Sequence, residues 1–134
     1  MYLLIDTSER DTINLALFDS TQIVFKSFSG RNRELLSCID KLLDNKGIRS
    51  KEKGLRQIGG IMVVVGSGSF TSTRIATVVA NAFAYARQIP LLAVQKNDIP
   101  KMQGLIPKLL KQKVGRYISA TYSAEPNITK RKGL

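Results

Sequence analysis

Two places along this 134-residue chain combine residue types that could do chemistry. The first is "VVVGSGSFTSTR" at 63–74, where three valines lead into a glycine–serine turn and then into a helix start. An apolar strand, a Gly-rich loop and a helix N-terminus form the layout of a phosphate cradle, with free backbone N–H groups and a favourable dipole. Gly66, Gly68, Ser69 and Thr71 are the candidate anion-binding residues of such a cradle. The second place is Asp6, a carboxylate at the end of the strand "YLLI". The chain has no histidine, which removes His-based acid–base catalysis, Ser-His-Asp and Cys-His dyads, and most zinc sites. No catalytic residue, metal site or cofactor is assigned.

The loop itself departs from the known nucleotide-binding patterns. A Walker A loop needs a lysine after its last glycine, and none follows Gly68. The dinucleotide fingerprint needs a third glycine where Thr71 stands. A structural turn therefore fits best, with Gly66 and Gly68 permitting a tight strand-to-helix connection and Ser69 or Thr71 capping the helix. Anion binding at the N–H groups of Ser69–Thr71 remains the alternative.

The elements that must position these residues follow from periodicity. "YLLI" (2–5), "TINLALF" (12–18) and "QIVFKSF" (22–28) read as a three-stranded antiparallel meander, turning at Asp19-Ser20. A helix over about 32–46 ends at Gly47, and 47–60 is a polar loop. "IMVVV" (61–65) is a continuous apolar run, as for a strand buried on both faces. A helix at about 70–86 and a fifth strand at "PLLAV" (90–94) complete a mixed-sheet α/β layout. Beyond Val94, Pro107 opens a short helix over 107–114 and "YISATY" (117–122) forms a strand, ahead of a basic tail.

One domain of this length buries roughly two-thirds of its unfolded surface. No apolar run approaches the roughly 20 residues that span a membrane, and the N-terminus lacks the basic lead of a signal peptide. With a single cysteine, Cys38, the composition fits a cytoplasmic protein. Of a net charge of +11, residues 96–134 carry +7, from 9 basic and 2 acidic side chains. Such an excess attracts polyanions, RNA first among them, or simply keeps the surface solvated.

The two helices differ in pattern. The first gathers Leu35, Leu36, Cys38, Ile39, Leu42 and Leu43 on one stripe, opposite Glu34, Ser37, Asp40 and Lys41. In the second, Arg74, Thr77 and Asn81 form a narrow polar stripe and the rest is apolar. Ile75, Val79, Ala82 and Ala86 are expected to face the sheet. Ala76, Ala80 and Ala84, flanked by Phe83, then form a seam that a second helix can approach closely, either the first helix of the same chain or one from a partner. On this expectation a charge at Ala80 breaks pairing without unfolding the chain.

"LIDTS" (4–8), "LLSCIDKLL" (35–43), "GSGSFTSTRIA" (66–76) and "IPLLAV" (89–94) together resemble the bacterial TsaB (YeaZ) family in order and spacing over about residues 1–96. The resemblance implies a single ribonuclease-H-like lobe of the actin/Hsp70/sugar-kinase type, with a mixed five-stranded sheet and two main helices. It implies a non-catalytic subunit that pairs with a TsaD-like protein, which transfers threonylcarbamoyl to a tRNA adenosine beside the anticodon, with a TsaE-like ATPase joining them. Pairing in the family uses the two helices, so Leu35, Leu36, Ile39, Leu43, Ala76, Ala80, Phe83 and Ala84 are the expected partner-binding residues. A homodimer can stand in when the chain is alone.

This sequence departs from the family at Arg31-Asn32-Arg33, Ser67, Ser72 and Thr73. The family's second lobe is expected to be reduced to a short basic remnant over 97–134. Lys108, Lys111, Lys113, Arg116, Lys130, Arg131 and Lys132 are then the expected tRNA-facing residues. Two other function classes stay open from the residues alone. One is a small basic RNA-binding module; the other is a degenerate phosphotransferase lobe built on Asp6 and the loop.

Overall fold

The structure is a computed structural model and describes residues 1–30, 34–45, 58–66 and 70–115. Its centre is one five-stranded sheet in the order β3-β2-β1-β4-β5. Strands β1 (Tyr2–Asp6), β2 (Thr12–Phe18) and β3 (Ile23–Ser29) form the antiparallel meander, with Leu3 opposite Leu17 and Ile5 opposite Leu15. Strand β4 (Ile61–Val64) runs parallel to β1, and β5 (Leu91–Val94) runs parallel to β4. All five strands fall within a residue of where the sequence alternation puts them.

The β2–β3 turn is closed by Asp19, whose Oδ1 accepts the backbone N–H of Thr21 and of Gln22, each at 2.8 Å. These donors favour the ionised carboxylate and hold its pKa below the ordinary value.

Alternation along the strands builds two cores. Leu3, Ile5, Leu15, Leu17, Ile61, Val63 and Leu91 face one side, where α1 (Leu35–Asn45) and α2 (Phe70–Arg87) cover them. Leu4, Ala16, Phe18, Met62, Val64, Leu92 and Val94 face the other. That second face is covered by a 3-10 helix (Lys96–Leu105), which the sequence pattern does not foresee, and by α3 (Ile106–Leu110). Met102, Ile106 and Leu109 are the buried anchors of this cover. A Cβ on Gly60 would stand 2.7 Å from Leu109 Cδ2, so a side chain there would force the buried Leu109 to shift. Proline sits at the start of α3 as its missing N–H requires, although the helix ends at Leu110.

The faces of α2 are the reverse of the expectation. Ala76, Ala80 and Ala84 are buried in the chain's own core, in one cluster with Leu35, Cys38, Ile39 and Leu42 of α1. Ala82 and Ala86 are exposed, and Ile75 and Val79 are half-buried. Ala76, Ala80 and Ala84 allow the helix to lie close to the sheet; Val79 and Phe83 pack partly buried at the edge of that core, and Val78, Ala82 and Ala86 point away. Thr77, placed by its polarity on an outer stripe, is buried because its hydroxyl donates to the carbonyl of Thr73 at 2.6 Å. Burial also pushes the Cys38 thiol above its ordinary pKa.

The Gly47 cap and the strand at 117–122 lie outside the described residues.

Candidate functional site

Parallel strands bring the carboxyl ends of β1, β4 and β5 together, the place where open α/β sheets commonly bind ligands. Asp6 is there, with its side chain only 3% exposed. One of its oxygens accepts the backbone N–H of Ser8 at 2.9 Å. The other accepts the ammonium of Lys96 at 3.0 Å, and that ammonium also donates to Ser8 Oγ at 2.7 Å. Glu9 lies 3.8 Å from the same nitrogen. The strand-end carboxylate is thus already neutralised by a cation from the chain itself. Lys96 is the residue the sequence does not single out, because its partner lies 90 positions away and no local pattern joins them.

Gly66, at the end of β4, has φ +79°, the left-handed region that glycine tolerates. A Cβ there would also meet Gln95 Oε1 at 2.7 Å. This is the backbone demand expected of a structural turn. Gly68 and Ser69 lie outside the described residues, as does the side chain of Thr71. Among the described residues no three of His, Cys, Asp and Glu cluster closely enough to hold a metal ion.

A small hollow of about 140 Å³ opens beside Asp6, lined also by Asn14, Phe25, Ser27 and Ile99. Two of its polar side chains are used internally. Ser27 Oγ donates to Asn14 Oδ1, and Asn14 Nδ2 donates to Glu9 at 3.2 Å.

The larger feature is on the helical face. Val78, Val79, Ala82, Phe83, Ala86 and Arg87 of α2, with Leu36 of α1, line an open groove of about 390 Å³. Val78 is 60% exposed and Leu36 54%, unusual values for such side chains on the same face. Tyr85, at 63%, is exposed on the same helix. Of the residues expected to bind a partner, Leu36 and Phe83 are in the groove. Leu35, Ile39, Ala76, Ala80 and Ala84 are instead inside the core, so they cannot form an accessible seam. The side chain of Leu43 is not among those described.

Lys108, Lys111 and Lys113 are all exposed, on the sheet face opposite the groove. Arg116, Lys130, Arg131 and Lys132 lie outside the described residues. No helix among the described residues is long and apolar enough to cross a membrane.

An antiparallel meander continued by two strands parallel to its first, with helices on both faces, defines an actin-like, ribonuclease-H-like lobe. The family model described as TsaD, tRNA N6-adenosine threonylcarbamoyltransferase, matches residues 30–123. No curated protein sequence matches the chain. Among solved structures, YeaZ from Pseudomonas aeruginosa is 30% identical with a TM-score of 0.60, covering 70% of this chain and 44% of its own. A second Pseudomonas aeruginosa protein, described by its similarity to peptidase YeaZ, is 28% identical with a TM-score of 0.63 and covers 78% of this chain and 48% of its own. The chain therefore spans less than half the length of these relatives. It belongs to the TsaD family of tRNA threonylcarbamoylation proteins, and within it is YeaZ (TsaB)-like.

Proposed function

We propose that this chain is a non-catalytic subunit in the threonylcarbamoylation of tRNA adenosine, and that it docks through the α1–α2 groove onto a TsaD-like catalytic protein. A TsaE-like ATPase joins the assembly, and tRNA is handled by the complex in the cytoplasm. The observation that carries this reading is the groove. Leu36, Val78, Val79, Ala82 and Phe83 leave a continuous apolar surface on a helix whose other side already fills the core. Isolated exposed apolar residues need no explanation, but a contiguous concave set marks an interaction site. Asp6 supports the non-catalytic part, since its charge is satisfied by Lys96 and Ser8 rather than turned to a substrate.

Size-exclusion chromatography and calorimetric titration of the chain with a TsaD-like protein test the reading. A stoichiometric complex is expected with wild type, and its loss with Val78→Glu. When the chain is alone, weak self-association through the same groove is expected and should be lost in the same variant. A folded Val78→Glu chain that still pairs at wild-type affinity overturns the assignment.

A further inference from the structure

We infer that the outer side of residues 101–113 is a docking surface for the phosphodiester backbone of folded RNA, on the sheet face opposite the apolar groove. The choice of RNA among polyanions, with tRNA as its first instance, rests on the function proposed above. The surface itself rests on charge and placement.

Lys101, Lys108, Lys111 and Lys113 are exposed, and their ammonium groups have no hydrogen-bonding or ion-pair partner within the described residues. The single acid of residues 96–115 is Asp98, and its carboxylate is held by the backbone N–H of Gln95 at 2.9 Å. Lys96, by contrast, is spent on Asp6 and Ser8 and adds nothing to the outward field. Four ammonium groups therefore stand uncompensated on one short stretch.

That stretch is firmly seated. Met102, Ile106 and Leu109 are buried against the sheet, and Gln103 Nε2 donates to the carbonyl of Asp19 at 2.9 Å, tying the segment to the β2–β3 turn. A seated array of charges loses less freedom on binding than the same charges on a loose tail. Lysine presents point charges, and residues 96–115 contain no aromatic side chain on which a base could stack. The surface therefore reads phosphate and overall shape rather than base sequence.

The groove belongs to the opposite helical layer, on the far side of the sheet. With layers packed at about 10 Å and helices about 10 Å across, the two outward surfaces are roughly 30 Å apart, more than three Debye lengths of about 8 Å at physiological salt. One chain can therefore hold a protein on one side and RNA on the other, with little electrostatic coupling between them.

Fluorescence anisotropy of a labelled tRNA transcript, titrated with the full chain across about 50–200 mM salt, tests this. Replacing Lys108, Lys111 and Lys113 together with alanine should flatten the slope of log K against log salt by about two, with an unchanged circular dichroism spectrum. Val78→Glu should keep the wild-type slope. An unchanged slope in the triple variant overturns the surface. So does tighter lysine-dependent binding to vesicles containing phosphatidylserine than to tRNA, an outcome the exposed Leu110 and Val114 would favour. Loss of pairing with a TsaD-like protein is scored separately. A chain that fails to pair yet shows the flattened slope refutes the groove and keeps the RNA surface.

Discussion

The two glutamate substitutions on α2, at Ala80 and at Val78, should have opposite consequences. Ala80 is fully buried, in a cluster with α1 and the sheet, so Ala80→Glu forces a carboxylate and one further methylene into closed space. An unpaired buried charge costs several kcal/mol, and overpacking adds about 1–3 kcal/mol. Together these amount to roughly 5 kcal/mol, against a total stability of about 5–15 kcal/mol for a domain. For a chain of this size each kcal/mol shifts the melting temperature by roughly 3–5 °C, so a fall of more than about 15 °C, or outright unfolding, is expected. Val78 is 60% exposed, and glutamate is slightly the better helix former, so Val78→Glu should move the melting temperature by no more than about 2 °C. A desolvated charge at an interface costs about 3 kcal/mol or more, which is over a hundredfold in affinity for a TsaD-like partner. Thermal circular dichroism and calorimetric titration read both quantities. If Ala80→Glu melts like wild type and only pairing is lost, the alanines face outward and the core assignment of α2 is refuted.

Four further perturbations probe the carboxyl-end cluster, the loop after β4 and the β2–β3 turn. Lys96→Met leaves the Asp6 carboxylate buried and unpaired and should cost about 2–3 kcal/mol, whereas Asp6→Asn leaves an ammonium, 39% exposed, that water can reach, and should cost about 1 kcal/mol; denaturant melts giving the reverse order would contradict the pair's burial. Gly66→Ala should cost about 1–2 kcal/mol from its positive φ, and adding Gln95→Ala should not restore stability, because the strain is in the backbone. Millimolar ATP or pyrophosphate should leave the melting temperature of wild type unchanged, since a ligand at a hundred times its Kd would add about 2.7 kcal/mol and be easily seen. Asp19 has a lowered folded pKa, so its contribution is present above the unfolded value of about 3.9 and is lost as pH falls through the folded one. The gap in melting temperature between wild type and Asp19→Asn should therefore be open at pH 7 and close in acid.

What was legible in the sequence was whatever repeats locally. Alternation in "TINLALF" places β2 and its Ile13-Leu15-Leu17 face, and the unbroken run "IMVVV" marks β4 as a strand buried on both sides. The amphipathic stripe of α1 is equally plain: Leu35, Cys38, Ile39 and Leu42 all point inward. Helix α2 is apolar nearly all round, so periodicity cannot choose its inner face, and size misleads if bulky residues are assumed to go inside. Contact with a flat sheet favours alanine, which brings the backbone close. Thr77 misleads for another reason, since a hydroxyl that bonds back to the carbonyl four residues earlier is free to be buried. Asp6 was visible as a strand-end carboxylate, but the cation that neutralises it was not, because the pair exists only once β1 and β5, on either side of β4, end at the same edge of the sheet.

The inverted faces of α2 strengthen the case for docking rather than weaken it. A seam of three alanines offers little apolar area to a partner, while Leu36, Val78, Val79 and Phe83 each bring a side chain whose full burial is worth about 1.5–3 kcal/mol. The fold does not require Leu36 and Val78 to be apolar, because the layer between helix and sheet is already closed by Ala76, Ala80 and Ala84 with Leu35, Ile39 and Leu42, and flanked by Val79 and Phe83. Polar residues at 78 and 82 would serve a free helix equally well and would hydrate better. Keeping them apolar raises the cost of the free surface, and that cost is offset only in a state where the groove is covered. On the other side of the sheet the balance is opposite: Met102, Ile106 and Leu109 turn inward and the lysines turn out. The same sheet thus separates a surface that gains by losing water from one that gains by exchanging counterions, and a partner suited to either is unsuited to the other.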